Sequence, residues 1–267
     1  MCLPGCGEAM GRALSRRRFF GGAAATVAFA ATPAQAQRTF TKVIDLTHTL
    51  SPAFPTFFGV PGIAIERRYT LKKDGANVNW WRVLEHAGTH LDAPFHYAEN
   101  AASVEAIALD QLVVPLAMVD VSAKTARNAD YALSPADLTA WESQHGRLPD
   151  GCCVAMHSGW AHHAKDIAKY TGKDAAGVFH FPGIHPEAAE WLLKERRVAG
   201  LAVDTLSLDP GRSKDFGTHT TWLPAGRWGI ENLANLDQVP QTGATLVVGA
   251  PKVQGATGAP ARVLALV

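Results

Sequence analysis

Apolar residues in this chain come mostly in short runs, some alternating with polar residues and some continuous, and few long helical stripes separate them. Residues 42–46, 63–70 and 78–84 read as strands, the last rich in aromatic and β-branched side chains. Residues 112–121 are strand-like, with Pro115 pointing to an edge or a bulge. Residues 152–157, 198–204 and 244–249 read as buried strands, and 261–267 as a further strand. Ser134 followed by Pro135 predicts a helix running to about residue 144, with Ser134 as N-cap. Residues 161–170 are expected to be helical. A third helix is expected from His185-Pro186-Glu187 to about Arg196, with Ala188, Trp191 and Leu192 on one side. The predicted class is α/β: one domain with a largely antiparallel or mixed sheet and flanking helices. No glycine-rich phosphate loop follows the first strand, which argues against a dinucleotide-binding fold.

Residues 1–36 are read as a segment outside that domain. Ser15-Arg16-Arg17-Arg18-Phe19-Phe20 is a twin-arginine pattern, a small-residue apolar stretch follows, and Ala34-Gln35-Ala36 supplies a cleavage site. The stretch is too short and alanine-rich for a membrane anchor. The expectation is export to the periplasm or beyond, with Gln37 as the new N-terminus and a working domain of residues 37–267. That route carries folded proteins, which suits a metalloprotein loaded before export. Cleavage would remove four of the 25 basic residues and one of the 24 acidic ones, leaving a net charge of −2. Such a balance is no footprint for nucleic acid, and no membrane association is expected after cleavage. Of the four cysteines, Cys2 and Cys6 fall in this segment. Adjacent Cys152 and Cys153 read as two small buried residues, not as a disulfide.

The chemistry concentrates in the run from His86 to His96, HAGTHLDAPFH. His86, His90, Asp92 and His96 have one parity and would share a face of an extended strand. His86 and His90 would then lie roughly 13 Å apart, too far for ligands of one ion. The chain must bend between them, and Gly88 suits that bend. Pro94 excludes a helix running through the segment. Imidazole and carboxylate donors suit zinc, manganese or iron(II), and a catalytic site keeps an open position. Further ligands are therefore sought in residues 217–224, which contain His219, and in 228–233, where Glu231 lies between apolar neighbours. A buried carboxylate without a partner is costly, and coordination would resolve that cost.

The run matches the HxGTHxDxPxH signature and resembles the cyclase family of metal-dependent hydrolases, which includes bacterial kynurenine formamidases, isatin hydrolases and trans-dienelactone hydrolases. The likeness spans nearly all of residues 44–267. It implies a swivelling β/β/α-like fold, with His86, His90 and Asp92 as metal ligands and His96 as the catalytic acid and base. In the formamidase branch a further His, with a Glu twelve positions later, completes a two-metal site. His219 and Glu231 have that spacing, with Asp92 and Glu231 as the implied bridges. Isatin hydrolases are described with a single manganese, so the resemblance leaves one or two zinc or manganese ions open. Formamidases place a Trp against the substrate ring in a proline-rich loop. Here Phe57 stands near that position, a departure from kynurenine chemistry.

The expected activity is hydrolysis of a small cyclic amide, N-formyl amide or lactone by metal-bound hydroxide, with His96 moving the proton. Alternatives are a cyclase or dehydratase using the same ion, or a non-catalytic periplasmic metal- or ligand-binding protein, which would have no need of His96 beyond the ligands. The alternative role for His96 is a fourth ligand. Phe57, Phe58, Trp80 and Trp81 could wall an aromatic pocket or pack in the core. Asp204 or Ser207, beyond a buried strand, could line the site, Thr89 would brace the bent loop, and Asp209-Pro210-Gly211 reads as a turn. A small-molecule substrate and a homo-oligomer are the expected partners.

Overall fold

The computed structural model describes residues 40–267; the proposed export segment lies outside them. Nine strands form one mixed sheet: β1 Val43–Asp45, β2 His90–Asp92, β3 Val113–Asp120, β4 Cys153–His157, β5 Gly200–Val203, β6 Trp228–Glu231, β7 Ala244–Gly249, β8 Gly258–Pro260 and β9 Arg262–Leu266. Their order is β1-β9-β7-β3-β4-β5-β6-β2-β8. The central β3-β4-β5-β6 pairings are parallel and the outer ones antiparallel. This is the single mixed-sheet α/β domain expected from the pattern.

Alternation along the strands sorts the core. Cys153 and Ala155 of β4 face one apolar cluster, and Val154 and Met156 face another. The second cluster is covered by α1 Pro135–His145, α2 Pro186–Glu195 and α3 Gly217–Trp222, through Leu138, Trp141, Ala188, Leu192 and Trp222. The first cluster unites Ile44 and Val263 from one end of the strand order with Leu91 and Ile230 from the other. The sheet therefore curls onto its own face, and Thr47 bridges to Leu233 where the ends meet. The antiparallel β2–β6 pairing, next to that junction, sets the His86–His96 run against β6.

The α1 expectation holds in detail: Ser134 and Asp137 form a capping box ahead of the first turn. Two local expectations fail. Pro115 lies in an interior strand, tolerated where β3 has not yet met β4, whose pairing begins at Leu116–Cys153. Residues 161–170 do not form one helix. A 3₁₀ turn, Trp160–His163, precedes a short helix, Ile167–Thr171, because the Asp166 side chain accepts from Lys169 N and starts the helix afresh. The short elements β6 and α3 were not anticipated; six residues give no readable helical period. Strands Ile63–Tyr69 and Val78–Val83 form a separate hairpin in which every residue but Ile63 is exposed. Cys152 and Cys153 are free and buried, and burial pushes the Cys152 thiol up to about 12.

Candidate metal centre and substrate pocket

Gly88, at φ +63, makes the bend between His86 and His90 that the ligand spacing requires. After it, β2 runs antiparallel to β6, with His90 opposite Glu231 and Asp92 opposite Gly229. On the other flank Asp92 faces Gly258, where a Cβ would lie 2.4 Å from the His86 ring, so only glycine leaves room for that imidazole. Helix α3 delivers His219 from the far side. Five predicted residues thus meet in one place: His86, His90, Asp92, His219 and Glu231.

Hydrogen bonds assign the proton on each imidazole. His90 Nδ1 lies 2.8 Å from the Gly88 carbonyl, which can only accept, so Nδ1 carries the proton and Nε2 a lone pair. That Nε2 lies 3.2 Å from Asp92 Oδ1 and 3.4 Å from Glu231 Oε2. His219 Nδ1 donates to Asp209 Oδ2 at 2.5 Å, leaving Nε2 at 3.1 Å from Glu231 Oε1 and 3.8 Å from Asp92 Oδ2. Thr257 Oγ1 donates to Glu85 at 2.5 Å and therefore accepts from His86 Nε2 at 3.0 Å. His86 Nδ1 then turns a lone pair toward Asp92 Oδ1, 2.7 Å away. Three nitrogen lone pairs so converge on two carboxylates, an arrangement that is repulsive unless a cation stands among them. His90 Nε2 and Asp92 Oδ2 are buried and have no hydrogen-bond partner. The nitrogen and oxygen donors are those of a divalent-metal site, and the outer bonds from Gly88, Asp209 and Thr257 orient the rings as such sites require.

Without an ion, protons answer the same electrostatic demand. Burial opposes charge on His90, but Asp92 and Glu231 outweigh it and push the ring up to about 9. His219 is likewise held well above the usual imidazole range, against burial, by Asp209, Asp92 and Glu231. Burial favours the neutral form of Asp92, but the charge on His90 and the neighbouring His219 and His86 imidazoles hold it well below the carboxylate range.

His96 differs from these. It sits on the 3₁₀ turn Pro94–His96, its ring stacked on His86 at a centroid distance of 3.9 Å. Burial and the neighbouring imidazoles press it down to about 4, against the pull of Asp92. It is neutral at neutral pH and able to accept a proton. Its ligand atom also falls in a group with His86 and Asp92, all within 4.8 Å of one another; a second such group is His90, Asp92 and Glu231. Asp92 belongs to both.

These donors open onto a cavity of about 230 Å³, walled by Phe57, Phe58, Tyr97, Leu206, Ser207 and Phe216. The Phe57 ring lies 4.9 Å from Phe179 and 5.7 Å from Phe216. Ser207 thus lines the site, whereas Asp204 does not. Asp204 lies on a larger cleft of about 820 Å³ with His48, His157 and Lys165, which lacks the converging donors. Trp80 and Trp81 neither wall the pocket nor pack in the core; both are exposed on the hairpin. Thr89 braces the bend, donating to Asn232 O at 2.5 Å and accepting from His48 N at 2.9 Å. Sequence reasoning missed Asp209 and Asn232. Asp209 read as a turn residue, and its one signal is an acidic side chain just beyond a buried strand.

The Cyclase family model matches residues 44–210. The chain belongs to the cyclase family. An isatin hydrolase of Roseibium aggregatum is 31% identical over 85% of this chain and 92% of its own length. A kynurenine formamidase of Erythrobacter litoralis is 29% identical over 75% of this chain and 82% of its own. A crystal structure of an isatin hydrolase bound to the product analogue thioisatinate superposes with a TM-score of 0.80 at 30% identity, covering 85% of this chain and 92% of that one. The chain is a cyclase-family metal-dependent hydrolase, and its curled mixed sheet is the fold of these neighbours.

Proposed function

We propose that this hydrolase cleaves the amide C–N bond of a small, aromatic-ring-bearing substrate, a fused cyclic amide before an open N-formyl amide. The observation that carries the reading is the 230 Å³ cavity, aromatic on one wall and lined by His86, Asp92, His219 and Glu231 on the other. The cavity is smaller than the roughly 300–1,000 Å³ of most ligand pockets, which suits one compact planar molecule. The isatin hydrolase match covers more of the chain than the formamidase match, and Phe57, not Trp, stands near the place of the formamidase Trp.

A zinc or manganese ion held by His86, His90 and Asp92, with His219 and Glu231 completing one or two sites, would supply a lowered water pKa and polarise the carbonyl. The protein does the rest. Phe57 and Phe216 flank the ring and Tyr97 closes the pocket beside His219. Neutral His96 takes the proton of the attacking water as the new C–O bond forms. It returns that proton to the amide nitrogen as the C–N bond breaks, giving an amine and a carboxylic acid that loses its remaining proton to solvent.

The test is metal analysis of the purified chain, then turnover of isatin, N-formylkynurenine and a dienelactone with zinc or manganese loaded. Isatin is expected to turn over fastest. Failure with all three would remove the substrate proposal. We also propose that the chain is exported with cleavage after Ala36, on the strength of the twin-arginine pattern, and that it works as a homo-oligomer.

A further inference from the structure

Asn232 is the residue directly after Glu231, and its backbone is left-handed, at φ +57. Asparagine tolerates that conformation better than most residues, yet a position needing only the backbone shape would be served by glycine. Its side chain is 2% exposed and every polar group it carries is used. The backbone N–H donates to Thr205 O at 2.9 Å, and the carbonyl accepts from Thr89 Oγ1 at 2.5 Å. Nδ2 donates to Gly88 O at 3.0 Å, and Oδ1 accepts from the Tyr170 hydroxyl at 2.9 Å.

The Gly88 carbonyl is the acceptor that fixes His90. One of its lone pairs takes His90 Nδ1–H, and the other takes Asn232 Nδ2–H. Asn232 therefore reaches from the strand carrying Glu231 to the bend that sets the His90 tautomer. The amide has one productive orientation. A carbonyl at Gly88 needs a donor, so the NH₂ must face it and Oδ1 must face Tyr170. The fully buried Tyr170 hydroxyl, closer to Asn232 Oδ1 at 2.9 Å than to Asp204 O at 3.2 Å, supplies the O–H that holds this orientation; rotating the amide would set two oxygens against each other at Gly88.

We infer that Asn232 is a positioning residue for the metal centre: with Tyr170 it locks His90 Nε2 and Glu231 into ligand register by clamping the Gly88 carbonyl. The inference rests on the metal-site reading above. Bonds of this outer kind set metal affinity by 10- to 100-fold in other sites.

The experiment is competition titration of Mn²⁺ and Zn²⁺ against a chromophoric chelator, using the full chain, Asn232→Gly and Tyr170→Phe, well below each melting temperature. Asn232→Gly keeps the left-handed backbone and removes only the amide; Tyr170→Phe removes only the hydroxyl that orients it. The expected result is at least a tenfold loss of metal affinity in Asn232→Gly and a smaller loss in the same direction in Tyr170→Phe. A merely structural role would lower the melting temperature of the metal-free protein and leave affinity unchanged. Wild-type binding with unaltered affinity in both variants would overturn the clamp while leaving the metal site standing. No binding by the wild type would overturn the metal site itself. Should Asn232→Gly fail to fold, Tyr170→Phe decides alone.

Discussion

His219 Nδ1 donates to Asp209 Oδ2 at 2.5 Å, and the same carboxylate accepts the backbone N–H groups of Thr218 at 2.6 Å and His219 at 3.2 Å. One buried side chain therefore anchors the start of α3 and dictates which nitrogen of His219 is free to face Asp92 and Glu231. Asparagine in its place can still accept from Thr218 N, but its NH₂ would face Nδ1 and favour the opposite tautomer, with a proton on Nε2. Asp209→Asn is expected to lower metal affinity by about 10- to 100-fold with little change in secondary structure. Chelator competition and circular dichroism measure the two effects; unchanged affinity would show that the tautomer is set elsewhere.

His96 stacks on His86, and the two roles weighed for it make opposite predictions. As an acid–base group it can be removed with the ion retained. His96→Ala is expected to keep stoichiometric metal by elemental analysis and to lose about 10²- to 10⁴-fold in kcat. Loss of metal together with turnover would make His96 a ligand, the reading its group with His86 and Asp92 also permits.

The residues of the centre were legible because coordination chemistry restricts both their types and their spacing. His86, His90 and Asp92 stand within seven positions and need only the Gly88 bend to converge. His219 and Glu231 were candidates from residue type and apolar surroundings alone, but only the spacing of the family resemblance gave them a role; their local sequence is also that of a capping histidine and an ordinary buried carboxylate. Asp209 and Asn232 act by orienting other side chains, and that function leaves no local pattern. The sheet was legible for strands whose apolar runs are long enough to read, such as Cys153–His157 and Ala244–Gly249. It was not legible for Trp228–Glu231, a strand of four residues buried by closure of the whole sheet.

Asp137 gives α1 a pH-dependent anchor. Its carboxylate accepts from Ser134 N at 2.7 Å and Tyr131 OH at 2.8 Å, and it pairs with Lys124. Burial raises its pKa, but Lys124 and the Ser134 bonds outweigh that and leave it below the usual carboxylate range. A group lowered in the folded state contributes stability fully above its unfolded pKa of about 3.9 and loses it as pH falls through the folded value. Asp137→Ala is expected to destabilise by about 1–3 kcal/mol at pH 7. In urea unfolding the gap between wild type and variant should narrow below about pH 4. A gap independent of pH would mean that packing, not charge, carries the contribution.

The hairpin Ile63–Tyr69/Val78–Val83 pairs Ile65 with Trp81 and Ile63 with Val83 on one face, and Trp81 is 71% exposed. On the other face Arg68 lies over Trp80 at 4.1 Å. Two-stranded ribbons are marginal in water on their own, and this one carries the kind of apolar stripe a homo-oligomer interface would cover. If the chain works as a homo-oligomer through this arm, Trp81→Ser with Ile65→Thr should shift its mass by light scattering to that of a monomer. An oligomer unaffected by the double substitution would place the interface elsewhere.

The proposed cleavage after Ala36 can be read directly. Expression of the whole chain in a bacterium with twin-arginine export should yield periplasmic protein beginning at Gln37 by N-terminal sequencing. Arg16→Lys with Arg17→Lys and Arg18→Lys should retain it, uncleaved, in the cytoplasm. Periplasmic delivery despite the triple substitution would remove the twin-arginine reading and leave the hydrolase untouched.

Phe57 separates binding of the substrate ring from the chemistry at the ion. Its ring lies beside Phe179 and Phe216 and lines the cavity, and a phenyl side chain offers no donor atom to an ion. An aromatic pair contributes about 0.5–1.5 kcal/mol beyond the area it buries. Phe57→Ala is therefore expected to lower kcat/KM for an aromatic cyclic amide by about tenfold, chiefly through KM, with metal affinity unchanged. Phe57→Trp restores the aromatic wall in the form the formamidase branch uses. It should recover much of that loss and shift the ratio of turnover toward N-formylkynurenine relative to isatin. Steady-state kinetics with both substrates measure the ratio; a Phe57→Ala enzyme indistinguishable from wild type would mean that the substrate ring lies against Phe216 and Tyr97 instead.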